Sequence, residues 1–99
     1  MLVLREPVTF EWDQGNSGKN DRTHGVADAE CEEVFFDPRK RLLHDPLHSG
    51  HEDRYILIGE TVSHRALFIV FTIRKHRVRV ISARDLNRRE RCLYEARTA

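Results

Sequence analysis

The residues of this chain best suited to chemistry are arginines at the ends of three apolar segments. Arg54 opens one segment, Arg74 follows the next, and Arg84 lies just past the third, with Arg77 and Arg79 nearby. If the segments are adjacent antiparallel strands, alternate ends come together and several guanidinium groups can converge. A guanidinium fork grips phosphate with two parallel hydrogen bonds and does not lose its charge. On RNA such an arrangement needs no cofactor. The ribose 2′-hydroxyl attacks the adjacent phosphorus once the phosphate's charge is compensated, and arginines stabilise the transition state directly. The competing reading is a set of surface arginines paired with acidic groups elsewhere in the chain.

His24 and Glu52 are candidates for proton transfer, the first because imidazole titrates near neutrality, the second if burial raises its carboxyl. His24 precedes a glycine, where a capping or turn role competes. His44, Asp45, His48, His51 and Glu52 place imidazoles and carboxylates within nine residues. This permits a zinc or nickel site, but there is no cysteine pair and no helix to impose a geometry, so the segment reads as an exposed polar loop. Phosphate-binding loops, dinucleotide glycine fingerprints and nucleophile elbows are absent from the sequence. Phe10, Trp12, Tyr55 and Tyr94 have faces on which bases stack, with core anchoring the favoured reading for Phe10 and Trp12.

The elements that would position these groups follow from periodicity. Val8 to Trp12 alternates as a short strand, and Gln14 to Lys19 reads as a loop or frayed helix start. Ala27, Cys31, Val34 and Phe35 fall at helical spacing, with Glu30, Glu32 and Glu33 in the early turns and Pro38 as the stop. Arg39 to Leu43 is a further strand candidate. Arg54 to Ile58, Ala66 to Thr72 and Arg77 to Ser82 follow in quick succession and predict an antiparallel meander. Leu67 to Phe71 is apolar throughout, which predicts a central strand covered on both faces. Val78 and Val80 alternate with Arg77 and Arg79, giving one core face and one cationic face. Asp85 is the expected N-cap of a last helix reaching Ala96, with Leu86, Leu93 and Ala96 as its apolar stripe and Arg88, Arg89, Arg91 and Arg97 on its other faces. The fold class is therefore α+β, with a helical region, a meander and a C-terminal helix.

A chain of 99 residues suits a single domain, 1–99. The 17 basic and 16 acidic residues nearly cancel, but their distribution is uneven. Residues 1–36 carry three basic against eight acidic side chains, and residues 74–99 carry nine against three. A polyanion-binding surface opposite an acidic flank has this asymmetry, and so do two faces that pair with each other. The longest wholly apolar run, Ala66 to Phe71, is too short to span a bilayer, and there is no signal-peptide pattern. A soluble, cytoplasmic protein without membrane contact is expected. Cys31 and Cys92 form no CxxC pair and are expected to be buried, reduced thiols.

Several short pieces occur in order along residues 9 to 95. They are Phe10-Glu11-Trp12-Asp13, Asn20 with His24-Gly25-Val26, Glu33 to Pro38, Glu52-Asp53-Arg54-Tyr55, Ile58-Gly59, Thr72-Ile73-Arg74, Val80 to Arg84, and Arg89-Glu90-Arg91 with Tyr94. In combination they resemble the BrnT family of toxins. The resemblance implies a RelE-like fold and a ribonuclease toxin of a type II toxin–antitoxin system that suppresses translation. It implies a partner, the ribbon-helix-helix antitoxin BrnA, through which alone the toxin would meet the operator DNA, and a toxin dimer or two-plus-two assembly. His24, Glu52, Arg54, Arg74, Ser82 and Arg84 fall on the family's recurring polar positions. The roles implied are Arg74 and Arg84 on the scissile phosphate, Arg54 and Glu52 in substrate orientation or proton transfer, and His24 in support. Lys19, Arg77, Arg79 and Arg88 would bind RNA, and neither metal nor cofactor is called for. Family members usually carry lysines where this chain has Asn16 and Thr23, which keeps open a second reading, an antitoxin-binding module with weakened or lost catalysis.

Overall fold

Four segments rich in branched and aromatic side chains are the strands of one sheet in the computed structural model, which describes residues 4, 6–45, 50 and 52–96. They are β1 (Arg41–Asp45), β2 (Arg54–Glu60), β3 (Ala66–Arg74) and β4 (Arg77–Asp85), joined as an antiparallel meander in the order β1-β2-β3-β4. Leu57 lies opposite Ile69 and Ile69 opposite Ala83, so alternation gathers Leu57, Leu67, Ile69, Phe71, Val78, Val80 and Ala83 on one face. All are buried there beneath Val26, Cys31, Val34 and Phe35 of the helical layer. Phe10, Phe35, Phe71 and Tyr55 form a chain of ring contacts, with centroids 5.2, 5.1 and 5.5 Å apart.

Two short helices build that layer. α1 (Lys19–His24) is bracketed by Gly18 and Gly25, both left-handed at φ 71° and 67°, a conformation that costs glycine nothing. α2 (Asp28–Val34) starts where the Glu30 carboxylate accepts from the Ala27 N–H at 3.0 Å, and its acidic first turn suits the helix dipole. Trp12 is tied to α2 by an indole N–H donated to Glu32 at 2.7 Å.

The outer edge of β4 would expose unpaired backbone groups, and the N-terminal segment satisfies several of them. Val78 donates to the Thr9 carbonyl and accepts from the Glu11 N–H, each at 2.8 Å. Asn16 Nδ2 donates to the Val80 carbonyl at 3.2 Å, Lys19 Nζ to the Ile81 carbonyl at 3.2 Å, and Asn20 Oδ1 accepts from the Ala83 N–H at 3.0 Å. Asn16 and Asn20 are themselves buried, so their bonds to Val80 and Ala83 form away from solvent.

The last helix, α3 (Arg88–Glu95), departs from expectation in its phase. β4 continues through Asp85, so the N-cap is Asn87, whose side chain accepts from the Glu90 N–H while Glu90 reaches back to the Asn87 N–H. That phase buries Tyr94 and leaves Leu93 46% exposed. The Tyr94 hydroxyl donates to Asp37 Oδ2 at 2.7 Å, and the same oxygen accepts from the Glu60 N–H at 2.8 Å. Asp37 thus joins the end of the α2 region, β2 and α3. Gly59 is required beside it, because a Cβ there would stand 2.9 Å from Asp37 Oδ2 and 3.0 Å from Val34 Cγ1.

Other expectations are corrected in detail. The Val8 to Trp12 strand reduces to one parallel bridge between Phe10 and Val78, and α1 follows the Gln14 to Lys19 stretch over residues for which the sequence reading has no element. β1 begins at Arg41 because Pro38 and the turn after Asp37 occupy the chain before it. β3 is fully covered on one face only, with Phe68 and Val70 half-buried on the other. Cys31 is buried, with its thiol pushed up to about 12 by burial, whereas Cys92 is exposed on α3.

Two outcomes test this packing. Asn20→Ala leaves the Ala83 N–H without its acceptor and should cost about 1–3 kcal/mol, read as a lower urea midpoint with unchanged m. Acid should also weaken the fold. Against the cost of burial, hydrogen bonds from Glu60, Tyr94 and Arg39 hold the Asp37 carboxyl below its ordinary 3.8, and the Arg65 guanidinium does the same for Asp85. A depressed folded-state pKa gives stability that is complete above the unfolded value and is lost as pH falls through the folded one. The thermal midpoint should therefore drop below about pH 4, and Asp37→Asn should flatten that part of the profile.

Candidate functional site

The face of the sheet away from α1 and α2 collects the polar residues. Arg54 and Ile56 of β2, Phe68 and Val70 of β3, and Ser82 and Arg84 of β4 share it, because Ile56 pairs with Val70, Val70 with Ser82, and Phe68 with Arg84. A bulge then shifts the β3–β4 register. Val70 faces Ser82 but Phe71 faces Val80, so Ile81 is passed over. The shift reverses the parity of β4, turning Val78 and Val80 into the core and Arg77 and Arg79 onto the face of Arg74 and Arg84. Asp45 joins them from β1 as the cross-strand partner of Arg54.

The middle of this face is a trough of about 340 Å³ lined by Asp45, Arg54, Ile56, Phe68, Val70, Ile81 and Ser82. Its floor is apolar and its rim is charged. At one end, α3 closes over β2. Arg41 donates to the Leu93 carbonyl at 2.8 Å, and Arg84 lies over the Phe68 ring at 4.2 Å while donating to both Glu90 oxygens at 2.8 and 2.7 Å. The Arg84 guanidinium is a cation–π partner and one half of a bidentate ion pair at once.

At the other end Arg74 donates to both oxygens of Glu52, at 2.6 and 2.8 Å. Arg74 and Glu52 are 47% and 40% exposed, so the pair is within reach of a ligand. The hydrogen bond from Arg74 lowers the Glu52 pKa, against a smaller cost of burial, and Arg54 and Arg79 add to the effect. Glu52 is thus a carboxylate at neutral pH. The hairpin tip joining β3 to β4 is Lys75-His76, with φ of 52° and 66°. Left-handed conformations at two non-glycine residues are costly. Here they close a two-residue turn that sets Arg74 directly opposite Arg77.

The sequence-predicted site residues divide between the two ends. Glu52, Arg54 and Arg74 stand together. Arg84, opposite Phe68, is six residues of β3 from Arg74, roughly 20 Å at the rise of a strand. Each is held by a carboxylate of its own, Arg74 by Glu52 and Arg84 by Glu90, so the two guanidinium groups do not converge in this structure. His24 ends α1, on the other side of the sheet from the open face and nearer its Arg84 end. Its carbonyl accepts from Arg65 at 3.4 Å, and after the Arg65 hydrogen bond, His24 is a lesser cause of the lowered Asp85 carboxyl.

Among the cations expected to bind RNA, Arg79 is 15% exposed and committed to Glu11 and Asp13 at 3.0 and 2.8 Å. It is a structural arginine, pairing the acidic N-terminal flank with the basic sheet. Arg77 donates to the Phe10 carbonyl at 3.2 Å and Lys19 to β4, while Arg88 is exposed at the start of α3. Of the proposed metal loop, His44 packs its ring on Tyr55 and approaches Asp53 at 3.4 Å, whereas Asp45 lines the opposite face; His48 and His51 lie outside the described residues. Among the described residues no three metal-ligating side chains gather, and no helix is long and apolar enough to cross a membrane.

Sequence reasoning missed Arg65, which clamps Asp85, Glu30 and the Gly25 carbonyl together. It also missed the apolar floor made by Ile56, Phe68 and Val70. The signal was available, since alternation within Arg54 to Ile58 and Ala66 to Thr72 leaves apolar residues on both faces.

A family model described as "Ribonuclease toxin, BrnT, of type II toxin-antitoxin system" matches residues 12–90. The matched span takes in all four strands and the Arg84–Glu90 pair. No curated protein matches the chain. With a match across most of its length, this chain belongs to the BrnT family of ribonuclease toxins of type II toxin–antitoxin systems.

Proposed function

We propose that the chain is a metal-independent endoribonuclease that inhibits translation by cleaving RNA on the open face of its sheet. The observation that carries this reading is the exposed Glu52–Arg74 pair, close to Arg54, which lines the apolar trough. Arg74 receives the scissile phosphate, since its two-pronged grip on a carboxylate is the grip a phosphate requires. As the phosphate draws Arg74 away, Glu52 loses the hydrogen bond that depresses its pKa and becomes a better base. The Glu52 carboxylate takes the proton of the 2′-hydroxyl, and the 2′-oxygen bonds to phosphorus. The bond from phosphorus to the 5′-oxygen breaks, and that oxygen takes a proton from water. The products are a 2′,3′-cyclic phosphate and a 5′-hydroxyl.

Arg54 orients the substrate, and Arg84 serves a neighbouring phosphate at the far end of the trough, with Arg88 beyond it. His24 acts on the Arg84 end through Asp85 and Arg65. Lys19 and Arg77 contribute positive potential while holding backbone carbonyls. In this reading the neutralising partner is a BrnA-type ribbon-helix-helix antitoxin, the operator DNA is met only through it, and a toxin dimer or a two-plus-two complex is the working assembly in the cytoplasm.

The test is cleavage of single-stranded RNA by the isolated protein in excess EDTA. The expected result is fragments ending in 2′,3′-cyclic phosphate. Arg74→Ala should lower the rate by about 10²–10³, as loss of a transition-state donor does, with the thermal midpoint little changed. No cleavage by the parent protein, with or without ribosomes, would favour the antitoxin-binding module.

A further inference from the structure

The trough has a chemistry of its own beyond phosphate binding. Its floor is Ile56, Val70 and Phe68, the last already carrying the Arg84 guanidinium over its ring; Asp45 and Arg54, opposite each other in the β1–β2 register, line one wall, and Ser82 stands on β4 across from them. An apolar floor bordered by an acid and a base is a surface against which a planar ring can pack while the donors and acceptors on its edge meet the wall. Volume is consistent with a two-ring base, since about 340 Å³ leaves room for a purine and part of its sugar.

We propose that the trough is a guanine-binding site that selects where the chain cuts RNA, with Asp45 as the specificity-determining residue. This rests on the ribonuclease reading above and extends it to the base. Guanine places two adjacent donors, N1–H and N2–H, on its Watson–Crick edge, and a carboxylate accepts both. Its O6 lies next to them and accepts from the neighbouring guanidinium, the group most often found on guanine O6 and N7. Each other base loses part of this match. Adenine N1 and the uracil carbonyls would turn lone pairs toward the carboxylate. Cytosine offers Asp45 a single amino group and makes one bond where guanine makes two.

Binding and cleavage are read separately. The four nucleoside 3′-monophosphates are titrated into the full chain by calorimetry, and the cut sites in a random-sequence RNA are mapped. The guanosine nucleotide should bind about tenfold or more tightly than the other three, and cuts should cluster beside guanosine. In Asp45→Asn the guanosine preference should fall about tenfold or more toward adenosine, because an amide matches adenine's donor and acceptor; Asp45→Ala, which offers neither, should lose preference altogether. Cleavage without base preference, equal binding of the four nucleotides, or a cytosine preference would overturn the guanine site while leaving the ribonuclease intact. Guanosine-selective binding without any cleavage would keep the site and remove the ribonuclease reading. If neither Asp45 variant folds, the parent protein's own nucleotide ranking decides.

Discussion

The covering of the outer edge of β4 is the constraint on which the rest of the molecule depends. A four-stranded meander has two edges, and β4 is the one that carries the cationic face. Its outward backbone groups are met by Thr9 and Glu11 through their main chain and by Asn16, Lys19 and Asn20 through their side chains. These partners sit in an N-terminal segment that is mostly irregular, so this region of the chain is held by the sheet more than by its own helical propensity. The contribution is not without cost, since Asn20 Nδ2 is buried and makes no hydrogen bond. An unpaired buried amide costs on the order of 1–3 kcal/mol. The fold retains it because the other end of the same side chain serves Ala83.

The bulge at Ile81 is the second half of this arrangement. Ala83 is three residues from Val80, so in a regular strand the two would face opposite ways. Passing over Ile81 puts both in the core and keeps Ser82, Arg84, Arg79 and Arg77 on the open side. Lys19 bonds to the carbonyl of the bulged residue itself, so edge covering and bulge stabilise one another. The site therefore inherits its geometry from backbone pairing, which is stiffer than a loop.

Charge is divided with the same economy. The acidic N-terminal flank and the basic C-terminal half pair directly through Arg79 with Glu11 and Asp13 and through Arg65 with Glu30, which answers part of the asymmetry by internal ion pairing. The pairs at the two ends of the open face differ in kind. Arg84–Glu90 is held on Phe68 beside α3, with Glu90 13% exposed, whereas Arg74–Glu52 stands in solvent at the hairpin tip. A solvated pair contributes little to stability and exchanges readily for another anion. A partly buried one, stacked on a ring, is a more permanent wall.

Much of the fold was legible in the sequence because alternation and helical spacing are local properties. The three later strands, the helix carrying Cys31, Val34 and Phe35, and the cationic face of Arg77 and Arg79 all follow from side chains a few residues apart. The family pattern added the toxin identity through ordered short pieces. What only the tertiary structure decided depends on pairs distant in the chain. The separation of Arg74 from Arg84 is set by register, Asn87 displaced Asp85 as the cap because β4 runs on, and Tyr94 rather than Leu93 turned inward because Asp37, 57 residues away, receives its hydroxyl. Asp45 meets Arg54 only through the β1–β2 pairing, and Asn16 and Asn20 disappear into the interior only because β4 needs them. Local pattern chose the elements; hydrogen bonding between remote backbone groups chose which side chains share a face.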